Sequence, residues 1–356
     1  MHEDSTFLSD PILQKDQAFV LYRLPGADRL QVNLLDPAAE VVPPAGSGAF
    51  AVGRYDCFSR SAPYFFRLLR TYSVSPELFD AGQSLADLGL GTYEGAVYDK
   101  TLFCANVERA VQAMERGEFQ KVVLSRPKWN AGVSAKKAAT LLRELCTAYP
   151  SSFVCLFHHP ELGCWITATP ELLLDRSGNI LRTVSLAGTR VSAGKTAAWG
   201  SKELAEQQWV TDYIQEVLEH NGVSDLERQG PETLRTGHIE HLRTRFSGRI
   251  GNENTFGEVL RALHPTPAVG GVPKEEAADF ITANEGYDRQ LYSGFSGPVY
   301  ADGSASLFVQ LRTARIYTNG TLYFVGAGIT AASNAEAEWE ETENKYRILA
   351  QFLQAE

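Results

Sequence analysis

The sequence predicts an α+β or mixed α/β fold. Three features point there: long helical segments with one apolar stripe, short apolar strand-like runs alternating with helices from about residue 102, and a C-terminal stretch punctuated by two hairpin turns. The 356 residues are 44% hydrophobic and 21% charged, enough apolar material for a sizeable core. Length alone allows two domains or one large one.

Residues 1–100 carry the weakest signals. "LPGADRLQVNLLDPAAEVVPPAGSGAFAVGRY" mixes short apolar runs with Pro and Gly and predicts brief strands and turns. "VERAVQAMERGEF" predicts a helix ending near Gly117, and Val122, Val123 and Leu124 then form a buried strand with Lys121 at its mouth. "SAKKAATLLRELCTAY" predicts a second helix with Ser134 as N-cap. "SFVCLFHH" and "GCWITATPELLLD" read as strands, the latter interrupted at Pro170. "AAWGSKELAEQQWVTDYIQEVLEHNG" is a long helix stopped near Asn221-Gly222. "GPVYADGSASLFVQLRTARIYTNGTLYFVGAGI" predicts three antiparallel strands with turns at Asp302-Gly303 and Asn319-Gly320. "NAEAEWEETENKYRILAQFLQ" closes the chain as a helix.

A net charge of −10 and the lack of a basic run argue against a nucleic-acid surface. An acidic protein with an anionic ligand needs a local positive cluster or a metal ion. Cys57, Cys104, Cys146, Cys155 and Cys164 are odd in number and form no C-x-x-C pair, which fits reduced thiols in a cytoplasmic protein. "MHEDSTFLSD" lacks the apolar core of a signal peptide, and no segment reaches the ~18 apolar residues of a membrane span.

Several side chains stand where either structure or chemistry would explain them. Lys121 is a solvated strand-end charge or an amine held in a dry cleft. Glu206 shares a helical stripe with Val210, Tyr213 and Val217, and Glu341 shares one with Lys345, Ile348 and Phe352. A first-turn carboxylate or an i,i+4 ion pair accounts for each separately. Two carboxylates on two apolar stripes also suit a Mg²⁺ site completed by water and an anionic ligand. Glu171, flanked by Pro170 and Leu172–Leu174, is an exposed bend residue or a carboxyl with a raised pKa. "SLAGTR" and "VGAGIT" bring glycines beside small residues, where backbone N–H groups can approach a ligand, though neither is a phosphate-binding fingerprint. His264 sits in a proline-rich loop, "LHPTPAVGGVPK", and reads as structural. Arg312 alternates with Phe308, Gln310 and Ala314 on one strand face, as a surface residue or a carboxylate clamp. No Ser-His-Asp order and no zinc spacing occurs.

Together these segments resemble the chorismate-utilising enzymes, most closely the isochorismate synthases. The matching stretches are "KVVLSR", "TPELLL", "LAGTR", "KELAEQQWV", His241-Leu242, "LHPTPAVGGVPK", "RQLYSGFSG", "VQLR", "VGAGI" and "EWEETENK", collinear over residues 100–352. The resemblance implies one compact domain, with residues 1–100 as a weakly matching N-terminal portion and 101–356 as the chorismate-binding region. It implies large antiparallel sheets packed face to face with helices outside. It also implies Mg²⁺ as cofactor, with Lys121 as general base and Glu171 as general acid. Glu206 and Glu341 fall on metal-ligand positions, with Glu338 beside them. Gly188, Thr189, His241, Ala268, Arg312, Gly326, Gly328 and Lys345 fall on substrate-binding positions.

The implied reaction moves a hydroxyl reversibly. A neutral Lys121 takes a proton from water as it attacks C2 of chorismate, and Glu171 protonates the departing C4 hydroxyl. The product, isochorismate, feeds menaquinone, siderophore or salicylate synthesis, and the sequence does not choose among them. A salicylate-forming lyase of the same family is the alternative, and a catalytically silent chorismate-binding homologue a more distant one. Lysine at 121 and Ala187 in "LAGT" separate the chain from the anthranilate and aminodeoxychorismate synthases, so no glutamine amidotransferase subunit is expected, and a monomer is. Gln207 stands where relatives often carry His, a departure that bears on metal affinity.

Overall fold

A computed structural model describes residues 13, 16–44, 46–80, 82, 84–95, 98–132, 136–191, 198–236, 239–252 and 254–353. The N-terminal part holds strands β1 (Phe19–Arg23), β2 (Leu30–Glu40), β3 (Ala49–Gly53) and β4 (Tyr64–Val74). Helix α1 (Lys100–Glu115), β5 (Lys121–Ala131) and α2 (Ala138–Ala148) follow. Next come β6 (Phe153–His159), β7 (Gly163–Thr169), β8 (Leu172–Ser177), β9 (Ile180–Val191) and α3 (Ser201–His220). A long hairpin, β10 (Ser224–Thr236) and β11 (Ile239–Arg249), precedes α4 (Asn254–Leu263), β12 (Gly271–Val272) and α5 (Lys274–Asn284). The chain ends with β13 (Phe295–Val299), β14 (Ala305–Val309), β15 (Thr313–Tyr317), β16 (Gly320–Ile329) and α6 (Ala335–Ala350).

All sixteen strands of the described residues join one antiparallel ladder in the order β10-β11-β9-β8-β14-β13-β3-β4-β2-β1-β6-β7-β15-β16-β5-β12. The ladder folds back on itself. Phe153 of β6 stacks on Phe308 of β14 with ring centroids 4.3 Å apart, although five strands separate them in the ladder. Phe157 of β6 likewise meets Phe50 of β3 and Phe66 of β4. Two layers therefore face each other across an aromatic core. Strand alternation feeds both sides of a layer: Val20 and Tyr22 point into the aromatic core, while Phe19 and Leu21 face Leu141, Leu142 and Leu145 of α2. No helix among the described residues is long and apolar enough to cross a membrane.

Several expectations change. Residues 1–100 supply two eleven-residue strands, β2 and β4, in the middle of the ladder, longer than brief runs between Pro and Gly suggested. Ser134 lies outside the described residues, and α2 begins at Ala138 after Lys137, which makes no side-chain cap. The three C-terminal strands are four, and β14 and β15 do not pair: β14 joins β8 and β13, whereas β15 joins β7 and β16. Arg312 stands between them with φ +48°, so it does not continue the strand face of Phe308 and Gln310. A residue in that left-handed region turns the chain out of the strand.

Candidate active site

The ladder opens where two strand pairs part. β7 and β8 diverge at Pro170-Glu171, and β14 and β15 diverge at Arg312. The breaks are sewn together by Val309 N donating to Glu171 O at 3.0 Å and Ala168 N donating to Arg312 O at 3.2 Å. Glu171 and Arg312 thus sit at the floor of a cleft enclosing about 850 Å³ of non-protein space, its open mouth included. Gly188, Glu206, His241, Ala268, Gly326, Gly328, Glu341 and Lys345 also line it.

Lys121 lies behind this wall and is fully buried, with Nζ 2.9 Å from Glu206 Oε1. Strand β5 is held on both edges, by β16 and by the two-residue β12 of the proline-rich loop. Buried Arg289 ties that loop to the strand, donating to Val269 O at 3.0 Å and Val123 O at 2.7 Å, and pairing with buried Glu285. His264 is structural, as expected, with Nε2 2.9 Å from Arg54 O.

Glu171 is 4% exposed, and burial raises its carboxyl from 4.5 to about 8 against the pull of Lys121, Lys345 and Arg312. Its acid is therefore mostly protonated at neutral pH, and the residue is buried rather than an exposed bend. For Glu206, burial works upward, but Lys121 and its hydrogen bond, aided by Lys345 and Lys202, outweigh it and lower the pKa. Burial drives His241 well below its usual range, helped by Arg312 and Lys345, so the ring is neutral. Its Nε2 lies 2.9 Å from Arg312 Nη2. Burial also lowers the Arg312 guanidinium to about 10, still charged at neutral pH. Lys345 donates to Gly326 O at 2.9 Å and pairs with Glu341 at 2.8 Å.

Helix α6 presents Glu338, Glu341 and Lys345. It is anchored to β5 by buried Arg126, which donates to Thr342 Oγ1, lies 3.8 Å over the Trp339 ring and pairs with Glu343. Glu338 is 2% exposed and bonded to Lys202 at 2.7 Å, outside the residues that line the cleft. The side chain of Thr189 lies outside the described residues. Two participants went unassigned at the sequence level. Tyr292, inside "RQLYSGFSG", lines the cleft, and Lys202, four residues before Glu206, holds Glu338.

The donor set fits a hard cation. Glu206, Glu338 and Glu341 each hold a lysine ammonium, so positive charge already balances them. Gly328 leaves space there: a Cβ at that position would collide with Glu206 Oε1. Among the described residues no three acidic, His or Cys side chains gather closely enough to enclose a metal ion by themselves. Mg²⁺ commonly takes only one or two protein carboxylates and completes its shell with water and ligand oxygens, so two glutamates suffice.

The sequence profile described as "Chorismate binding enzyme" matches residues 87–354. The chain belongs to the chorismate-binding enzyme family. Within this family it is 31% identical over 258 residues to isochorismate synthase EntC of Escherichia coli strain K12, covering 69% of the chain and 66% of the relative. It is 30% identical over 268 residues to isochorismate synthase MenF of the same strain, covering 72% and 61%. These matches span a little under two thirds of each relative. The solved structure of MenF, the menaquinone-specific isochorismate synthase from Escherichia coli, superposes with a TM-score of 0.81 at 23% identity, covering 98% of the chain and 92% of that structure. The family's fold therefore extends over the N-terminal strands as well, where the sequence signal is weakest.

Proposed function

We propose that this chorismate-binding enzyme is an isochorismate synthase. The observation that carries the reading is the pairing, across one cleft, of a fully buried lysine with a buried carboxylic acid kept protonated near neutral pH. Glu171 lies in the cleft with cationic Arg312 and Lys345, and Lys121 reaches the cleft lining through Glu206. Chorismate carries two carboxylates, and these two cations suit them.

Lys121, once neutral, accepts a proton from water as the water oxygen bonds to C2. Both ring double bonds shift by one position, from C2 round to C4, and the C4 hydroxyl leaves as water with the proton of Glu171. The two proton transfers balance, and reversal exchanges the roles. Glu206 and Glu341 would hold Mg²⁺, and the ion would supply positive charge against the ring carboxylate. The neutral His241 ring and Arg312 hold the other end of the substrate. Menaquinone is one candidate destination of the product, since the solved relative MenF is described as menaquinone-specific.

Incubation of the purified protein with chorismate and Mg²⁺, followed by chromatography, tests the reading. Isochorismate is the expected product and a chelator should stop its formation. Salicylate with pyruvate as primary products, or anthranilate when ammonia is supplied, would overturn it. Lys121→Ala should lower kcat by at least about 10³-fold while circular dichroism stays native.

A further inference from the structure

We infer that Gln207 is a positioning residue that locks a bulge aiming His241 and Arg312 into the cleft, and so governs chorismate affinity rather than metal affinity. The inference rests on the chorismate reading above. Gln207 follows Glu206 on α3, but one helical step of about 100° turns it to a different face. It is 3% exposed. Its Oε1 accepts from Ala187 N at 2.9 Å, and its Nε2 donates to Ser185 Oγ at 2.8 Å and Thr244 Oγ1 at 3.2 Å. None of these bonds goes to Glu206, Glu338 or Glu341. One side chain thus joins α3 to both β9 and β11.

Between β9 and β11, Thr189 lies opposite His241 and Ala187 opposite Leu242, which leaves Gly188 as an extra residue. That is a β-bulge, with Gly188 at φ +68°. A Cβ there would approach the Glu203 carbonyl oxygen to 3.0 Å, so the bulge packs directly on the first turn of α3. The Gly188 backbone hydrogen-bonds the His241 ring, and His241 Nε2 meets Arg312 Nη2. Arg312 Nη1 is buried without a hydrogen-bond partner in the protein, as a group kept for a ligand would be. The chain of contacts runs from Gln207 through Ala187 and Gly188 to His241 and Arg312. Without the amide, the buried Ala187 N–H beside the bulge loses its partner.

The test compares Gln207→Leu, which keeps the volume and loses every bond, with Gln207→His, whose ring offers one acceptor and one donor. Readouts are KM, kcat, the Mg²⁺ concentration for half-maximal rate, and chorismate binding by calorimetry in a Lys121→Ala background, where turnover is removed. Gln207→Leu should raise KM and the chorismate Kd about tenfold, equivalent to about 1.4 kcal/mol. The Mg²⁺ requirement and kcat should stay within about twofold, and Gln207→His should restore most of the affinity. A shifted Mg²⁺ requirement with unchanged KM overturns the inference, as does lowered thermal stability with unchanged KM and Kd. If Gln207→Leu fails to fold, Gln207→Glu, which keeps the acceptor and loses the donors, should show the same weakened binding. If no isochorismate forms but calorimetric affinity still depends on Gln207, the activity reading fails and the inference stands. Absence of both turnover and measurable chorismate binding in the wild-type protein overturns both.

Discussion

Glu171 shows how much one side chain's surroundings decide. A carboxyl flanked by Pro170 and three leucines is visible in the sequence as a candidate acid, but its burial at a strand break is not. In the folded protein it takes up its proton at about 8, against an ordinary 4.5. The folded state then binds more protons than the unfolded state between those values, so this residue's contribution to stability falls as pH rises from 4.5 to about 8. Glu171→Gln removes that dependence. Thermal unfolding of the two proteins should coincide more closely at pH 5, whereas at pH 9 the variant should gain on the order of a few kcal/mol relative to wild type. The same variant should lose about 10²- to 10⁴-fold in kcat. In wild type, formation of isochorismate should decline above pH 8 as the acid ionises. A rate that stays flat from pH 7 to pH 9.5 would remove Glu171 from the acid role.

At the scale of elements, the carboxylates on α3 and α6 stood out because each shares a helical stripe with apolar residues, Glu206 with Val210 and Val217 and Glu341 with Ile348 and Phe352. The buried face of α3 nevertheless runs through Gln207, Val210, Thr211, Ile214 and Leu218, with Glu206 at its flank. That offset turns Glu206 toward Lys121 while Gln207 faces β9. Strand β16 supplies the complementary space through Gly328. Gly328→Ala should push Glu206 Oε1 aside while placing the new Cβ 3.4 Å from Lys121 Cε, an ordinary contact. Activity should fall at least about tenfold with a raised Mg²⁺ requirement, as expected when a metal ligand is displaced. Because the displaced atom ends a flexible side chain, urea unfolding should change by less than about 1 kcal/mol. Unchanged kinetics would show that Glu206 has no role in turnover. Arg312 marks the limit of pattern reading. Its alternation with Phe308 and Ala314 suggested one strand, but β14 and β15 go to different neighbours, and Arg312 is the turn between them. The β10–β11 hairpin escaped notice for a related reason: charged and polar residues dominate β10, so it lacks an apolar alternation.

For the molecule as a whole, the active cleft depends on a long ladder folded over an aromatic core. Phe153 against Phe308 and Phe157 against Phe50 and Phe66 join strands far apart in the ladder. Phe153→Ala should cost about 3–5 kcal/mol in urea unfolding, the usual penalty for emptying an aromatic site. KM of the protein that remains folded should stay near wild type, since the change lies in the interior between the layers. A penalty under about 1 kcal/mol would mean that the contact does little to hold the layers together.

By itself, the sequence determined the residue types that the chemistry needs, their order, and the helices and strands that bear most of them. Periodicity and turn residues are local properties, so they survive in a one-dimensional reading. Only the tertiary structure decided which strands part, and therefore that Glu171 and Arg312 share a cleft floor with Lys121 close behind its wall. It also decided that Gln207 faces the bulge at Gly188. Strand partners and layer contacts join residues more than a hundred positions apart. Their free energy comes from burial and hydrogen bonds formed only when the ladder closes.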